Sequence, residues 1–157
     1  MAVIIDIADA VVTELNGHTW VAAPPTPPEH EGDAPAPAFI AQRYYRPVFD
    51  LAEMSSLHVS AVPKGVTVER ADRARNQYDL QVDVAVQKKL QAADNAELDA
   101  LMALVQEIAD FFRLRRLATY PGAVWIKTEN VPVFAPEHLE EYRQFTSVLT
   151  LTFRVVR

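Results

Sequence analysis

Apolar and polar positions along this chain repeat with two periods, and the points where the period changes divide it into elements. Over residues 3–16, Ile4, Ala8, Val11 and Leu15 recur at helical spacing opposite Asp6, Asp9 and Thr13, so the segment reads as an amphipathic helix stopped at Gly17. Asp94, with Glu97 three residues later, has capping-box spacing and opens the longest periodic segment. There Leu98, Leu101, Met102, Val105, Ile108 and Phe112 oppose Asn95, Asp99, Gln106 and Asp110. Arg113, Arg115 and Arg116 suit the negative end of its dipole. A helix from Asn95 to Leu117 is therefore expected, about 35 Å long at about 1.5 Å per residue.

A period of two governs the strands. Tyr78, Leu80, Val82, Val84 and Val86 share one face against Asp79, Gln81, Asp83 and Gln87. Likewise Phe145, Ser147, Leu149, Leu151, Phe153 and Val155 oppose Thr146, Thr150, Thr152 and Arg154. Such alternation belongs to a sheet buried on one side only. Val66 and Val68 enter the first of these strands through a polar connection from Asp72 to Gln77, which makes a hairpin. Shorter strands are expected over Ala38–Pro47, where Pro47 ends pairing, over Leu57–Ala61, closed by a turn at Pro63, Lys64 and Gly65, and through Val124 and Ile126. One helical turn fits Asp50–Met54, and Pro136 suits the first turn of a short helix through Glu141. The pattern predicts a single α+β domain over residues 1–157: a mostly antiparallel mixed sheet with two main helices packed on one face.

Between the first helix and the strands, residues 24–37 hold six of the eleven prolines together with Glu29, Glu31 and Asp33. That composition neither continues a helix nor fills a core, so residues of about 19–38 read as a mobile loop or arm.

A formal net charge of −6 argues against an obligate nucleic-acid coat, which needs clustered Lys and Arg in excess. Without cysteine there is neither a disulfide framework nor a thiolate metal site, which fits a reducing cytoplasm. The apolar opening from Val3 to Ile7 lacks a basic flank and is interrupted by Asp6 and Asp9, unlike a signal peptide. No apolar run approaches the roughly 18 residues of a membrane span, so no membrane association is expected.

The chemistry-bearing residues form no active-site pattern. His18, His30, His58 and His138 are scattered, without the helical pair of zinc hydrolases; His30 beside Glu31 and Asp33 would have to order a flexible segment to hold a cation. No catalytic, cofactor or metal residue is therefore assigned. Asp79 and Asp83 would stand about 13 Å apart at about 3.3 Å per residue, too far for a glycosidase pair, and read first as a wet sheet face. No serine lies in a nucleophile elbow and no glycine loop could cradle phosphate. Arg70, Arg73 and Arg75 at the hairpin tip are the best binding patch, either for a partner or simply as a charged, soluble tip. Tyr44, Tyr45, Trp20 and Trp125 fit an interface or an ordinary core equally well.

Four segments, IADAVVTELN, QYDLQVDVAVQKK, NAELDALMALVQEIADFF and APEHLEEYRQFTSVLTLTFRV, occur in an order that resembles the tail terminator or tail completion proteins of long-tailed bacteriophages and prophages. The resemblance spans most of the chain and is one of layout, with no catalytic signature. It implies a non-enzymatic subunit of a closed homo-oligomeric ring, usually a hexamer, that caps the tail tube, meets the tube protein and offers a face to the head connector or neck proteins. Its place would be the virion tail or neck, assembled in the host cytoplasm. On that resemblance Asp79 and Asp83 would face a channel through which DNA only passes, and the Arg70, Arg73 and Arg75 tip would make subunit or tube contacts; the proline-rich segment from Trp20 to Ala38 departs from the family's compact pattern, and the expectation for it is an arm that orders on assembly. A head-tail joining protein is the nearest rival. A small hydrolase or ligand-binding domain without a recognisable motif is the rival of another class, and a nucleic-acid adaptor acting through the arginines is a third.

Overall fold

The computed structural model describes residues 2–46, 55–91 and 94–157. Helix α1 (Val3–Gly17) leads through the proline-rich segment to a two-residue strand β1 (Gln42–Arg43), then to the hairpin of β2 (His58–Arg70) and β3 (Asn76–Lys89). Helix α2 (Asn95–Phe112), strand β4 (Val124–Glu129), helix α3 (Pro136–Tyr142) and strand β5 (Gln144–Val156) complete an α+β fold. The strands form one mixed sheet in the order β1-β2-β3-β5-β4, antiparallel except for β1 with β2.

The sheet is built around β3 and β5, the two strands with the strictest alternation. They pair in unbroken register from Gln77 opposite Val156 to Lys89 opposite Gln144. That register sends Leu80, Val82, Val84 and Val86 to the same face as Leu149, Leu151 and Phe153, all at most 1% exposed. Against this face pack Ile7, Ala8, Val11 and Leu15 of α1 and Leu101, Leu104, Val105, Ile108 and Phe112 of α2. Each large side chain so buried contributes about 1.5–3 kcal/mol. Among the described residues the opposite face carries no main helix; it bears Asp79, Asp83 and Arg154, while Ser60, Ala85, Gln87, Thr150 and Thr152 on it are buried and His138 of α3 meets it at Thr146. At the far edge β4 covers only Thr150–Arg154; below it the Ala135 amide donates to the Thr146 carbonyl at 2.9 Å, so the start of α3 takes over the edge where β4 ends.

Several expectations are corrected. The turn expected at Pro63–Gly65 is a bulge inside one continuous strand, because proline lacks only the donor that an edge strand can spare. The strand expected over Ala38–Pro47 shrinks to Gln42–Arg43 among the described residues; the stop at Pro47 and the helical turn at Asp50–Met54 lie outside them. Helix α2 has its expected start, where the Glu97 amide donates to Asp94 Oδ1 at 2.9 Å. Glu97 does not return the favour to Asp94, however; its carboxylate takes the Gln91 amide at 3.1 Å. The helix also ends at Phe112, not Leu117. Leu114 adopts a left-handed φ of 60°, which costs a side-chain-bearing residue about 1–2 kcal/mol, and the chain reverses.

The reversal is held by a buried acid that hydrophobic patterning does not single out. Glu14, on the inner side of α1 and 7% exposed, accepts from Arg115 Nε at 2.7 Å and from the Ala118 amide at 2.8 Å. The Arg115 guanidinium also lies over the Phe111 ring, 3.9 Å from its centroid. The first helix is thereby tied to the connection after α2. Replacing Arg115→Met would strand the Glu14 carboxylate and should destabilise the fold by about 2 kcal/mol, while adding Glu14→Leu should recover much of that loss. Denaturant unfolding of the two variants checks this; equal losses in the single and double variants would contradict it.

Candidate functional site

Odd-numbered positions of β3 point away from the helices, and the register decides what meets them. Asp79 stands opposite Arg154 and Asp83 opposite Thr150. Arg154 donates from Nε to Asp79 Oδ1 at 2.8 Å and from Nη2 to Oδ2 at 3.1 Å, a two-pronged contact that fixes both planes. Thr150 Oγ1 donates to Asp83 Oδ1 at 2.7 Å, and Lys64 Nζ lies 3.6 Å from that oxygen. Lys127 Nζ donates to Glu129 Oε1 at 2.8 Å further along the same face. The hydrogen bond from Arg154 holds the Asp79 carboxyl below its usual range despite some desolvation, and Asp79 in turn raises Arg154. Asp79 and Asp83 thus share one sheet face, as alternation along the strand predicts, each with a cation beside it.

At the hairpin tip the arginines are largely engaged in building the turn. Asp72 Oδ1 accepts the amides of Ala74 and Arg75 at 2.8 and 2.9 Å, and its Oδ2 accepts Arg75 Nε at 2.8 Å. The Ala74 amide first, then the Arg75 guanidinium, holds this exposed carboxyl below its usual range. Arg70 Nε donates to the Asp72 carbonyl at 3.1 Å. Arg73 joins none of these bonds and is exposed.

The aromatic candidates separate. Trp20 is 4% exposed, donates its indole N–H to the Leu15 carbonyl at 3.1 Å and stacks edgewise on Phe111, so it belongs to the core. Tyr45 is exposed beneath the Arg43 guanidinium, and Tyr44 donates to Gln42 Oε1 at 2.7 Å. Trp125 is half-buried with its N–H on Thr128 Oγ1.

Trp20 also roots the proline-rich arm, which runs back along α2. Val21 donates its amide to both carboxylate oxygens of Glu107 at 2.9 and 3.0 Å, and Ala22 adds a longer bond of 3.3 Å. A bridge between Thr26 and Ala36 closes the exposed prolines into a loop. Glu107 therefore commits its charge to the arm, a role that the apolar and polar stripes of α2 do not disclose. The groove between arm and helix, about 350 Å³, brings together Lys88 and Glu97, themselves 3.7 Å apart, and is otherwise walled by small and apolar side chains such as Ala22, Pro24 and Leu104. Among the described residues no group of three or more His, Asp or Glu could hold a metal ion, and no helix is long and apolar enough to cross a membrane.

No protein-family model and no curated protein sequence matches the chain. Among solved structures, a chain of one described as "Virion of native gene transfer agent (GTA) particle" is similar with a TM-score of 0.45 and 15% identity, over 74% of this chain and 78% of that one. At that distance the likeness carries no functional argument.

Two outcomes follow from the geometry. Since its folded-state carboxyl is depressed, Asp79 adds stability that is present above the ordinary Asp range and lost as pH falls through the folded value. Arg154→Gln should return the Asp79 titration to the ordinary range, and the stability gap between the two proteins should close in acid; a carboxyl-resolved NMR titration with acid unfolding reads both. Glu107→Ala should cost about 1–2 kcal/mol and open residues 21–37 to limited proteolysis while α2 stays intact. An unchanged cleavage pattern would mean that Trp20 alone holds the arm.

Proposed function

We propose that this protein is a structural subunit of a bacteriophage or prophage virion, a tail terminator that closes into a ring on the tail tube and performs no bond-making. The observation that carries the reading is the polar sheet face, where acids and bases neutralise one another across strands through Asp79 with Arg154 and Asp83 with Lys64, Thr150 adding a hydrogen bond to Asp83. A surface so paired is close to neutral, as suits the wall of an aqueous passage past which a polyanion must slide without adhering. The α+β layout expected from the tail-terminator resemblance supports the same reading. So does the chemistry of the groove beside the arm, whose Lys88 and Glu97 already occupy each other.

In this arrangement Asp79 and Asp83 face the channel. The hairpin tip with Arg70, Arg73 and Arg75 reaches a neighbouring subunit or the tube, Arg73 being the member whose guanidinium the turn does not engage. Tyr44 and Tyr45 flank the subunit boundary, while Trp20 acts through the arm it anchors. The ring is a hexamer on the tube protein, with the head connector or neck proteins on its other side. A head-tail joining protein would share the polar face but sit on the head.

Purified tails decide between these. The chain should be found as a sixfold ring at one end of headless tails, and tails made without it should run to irregular lengths; recovery only from tailless heads would assign it to the neck. The channel is tested separately. Asp79→Lys with Asp83→Lys replaces balanced pairs by clustered cations, so DNA affinity should appear, fall steeply with added salt and impede genome passage, with the fold kept. Normal infectivity of a phage carrying both changes would remove these residues from the channel.

A further inference from the structure

The helical layer stops one strand short of the sheet. Helix α1 packs on β1, β2 and β3 and α2 on β5, which leaves the core side of β4 without a helix of its own. Two β4 residues occupy that side. Trp125 stands opposite Phe153 and Thr128 opposite Leu151, because the bulge between Trp125 and Lys127 brings positions three apart onto one face. The Trp125 indole N–H donates to Thr128 Oγ1 at 2.9 Å, so its polar atom is satisfied within the strand and the half-buried ring serves as an apolar wall.

That ring borders two hollows. One, of about 260 Å³, lies between β4 and α2, with Val105 and Ala109 on the helix side, Leu149 of β5 beneath and Arg113 at its end. The other, of about 170 Å³, is walled by Leu114, Arg116 and Ala123. Leu114 is 78% exposed, and its left-handed φ of 60° is strain kept at a residue that shows its side chain to solvent. Charge along this groove is uneven. Its one acid, Asp110, accepts from Gln106 Nε2 at 3.0 Å, and Arg115 is held by Glu14. Arg113 and Arg116 are exposed and form no hydrogen bond or ion pair among the described residues. In a chain of net charge −6, two unengaged guanidiniums beside a tryptophan-walled groove mark a surface complementary to an apolar, anionic partner.

We propose that the groove between α2 and β4 receives an amphipathic α-helix of a partner protein, its aliphatic side chains filling the hollows on either side of Trp125 and its acidic ones meeting Arg113 and Arg116. A helix fits where a strand does not, because a strand added to the edge of β4 would lie in the plane of the sheet and leave both hollows open. The length also fits. From Val105 to Arg113 the groove follows α2 for about 12 Å at about 1.5 Å per residue, so side chains at i, i+4 and i+7 of the incoming helix reach both hollows. Docked there, it completes the layer that α1 and α2 leave unfinished. This use of the groove does not depend on the terminator reading.

The probe is a synthetic peptide of five helical turns with leucine along one face, glutamate in its last two turns, alanine and glutamine elsewhere and no aromatic residue; a control peptide carries lysine for each glutamate. Titrated into the wild-type chain, the acidic peptide should bind saturably, shift the Trp125 emission, and move the NMR signals of Val105, Ala109, Leu114 and the Trp125 indole. The lysine peptide should bind at least about tenfold more weakly. Arg113→Glu with Arg116→Glu should reverse that order, and Leu114→Asp should weaken both peptides. Should charge reversal unfold the chain by circular dichroism, Arg113→Gln with Arg116→Gln should make the two peptides equal. No saturable binding at millimolar peptide, equal affinities for the wild-type chain, or NMR shifts confined to another surface would overturn the proposal. So would Trp125 emission that changes on dilution of the protein alone, since a second copy would then hold the groove.

Discussion

The pairing of β3 with β5 is the constraint on which the rest of the molecule depends. Side chains alternate along a strand, so a slip of one residue would exchange Leu80, Val82, Val84 and Val86 for Asp79, Gln81, Asp83 and Ala85 on the core face. Both faces resist that slip. One would lose its contact with α1 and α2, and the other would break the alignment that puts Asp79 beside Arg154 and Asp83 beside Thr150. The polar face thus contributes to register even where each exposed pair contributes little to stability. The same register fixes the heights of everything on the two outer edges.

Polar anchors position the helical layer where apolar contact alone would leave it free to shift. Glu14 joins α1 to the chain after α2, and Glu107 joins α2 to the chain after α1, so the two helices are tied reciprocally by one carboxylate each. Both acids accept main-chain amides as well as, for Glu14, a guanidinium. Amide contacts of this kind set position sharply, since a carboxylate buried or half-buried without donors would cost more than the contact returns. The proline-rich arm is consequently fixed at its root beside Trp20 and projects only its acidic, proline-bearing loop.

Legibility in the sequence follows range. Helix α1, the start of α2 at Asp94, and strands β3 and β5 are readable because their signals are local periods and caps. The end of α2 is not, because Arg113–Leu117 looks helical until Glu14, a hundred residues earlier, captures Arg115 and the Ala118 amide. The run of β2 through Pro63 is hidden for a related reason, as a proline that would break a central strand is harmless on an edge. Asp79 and Asp83 are placed on one face by alternation alone. Their partners Arg154 and Lys64 are not, although laying the polar face of β3 against that of β5 in antiparallel register would have suggested Arg154. At the hairpin tip the sequence displays three arginines, yet the short-range chemistry of Asp72 decides how many of them face outward.

The outer strands carry their own interruptions. A long, regular and uncovered edge strand invites pairing with other chains. Among the described residues, Pro63 and the bulge at Pro63/Gly65 break the run of β2, and the bulge at Trp125/Lys127 breaks that of β4. Each irregularity sits within a strand that pairs on one side at that height, where a lost donor or a shifted register leaves the central pairing of β3 with β5 untouched. The strict register in the middle of the sheet and the irregular strands outside it are thus two sides of one arrangement, in which regularity is kept where both faces depend on it.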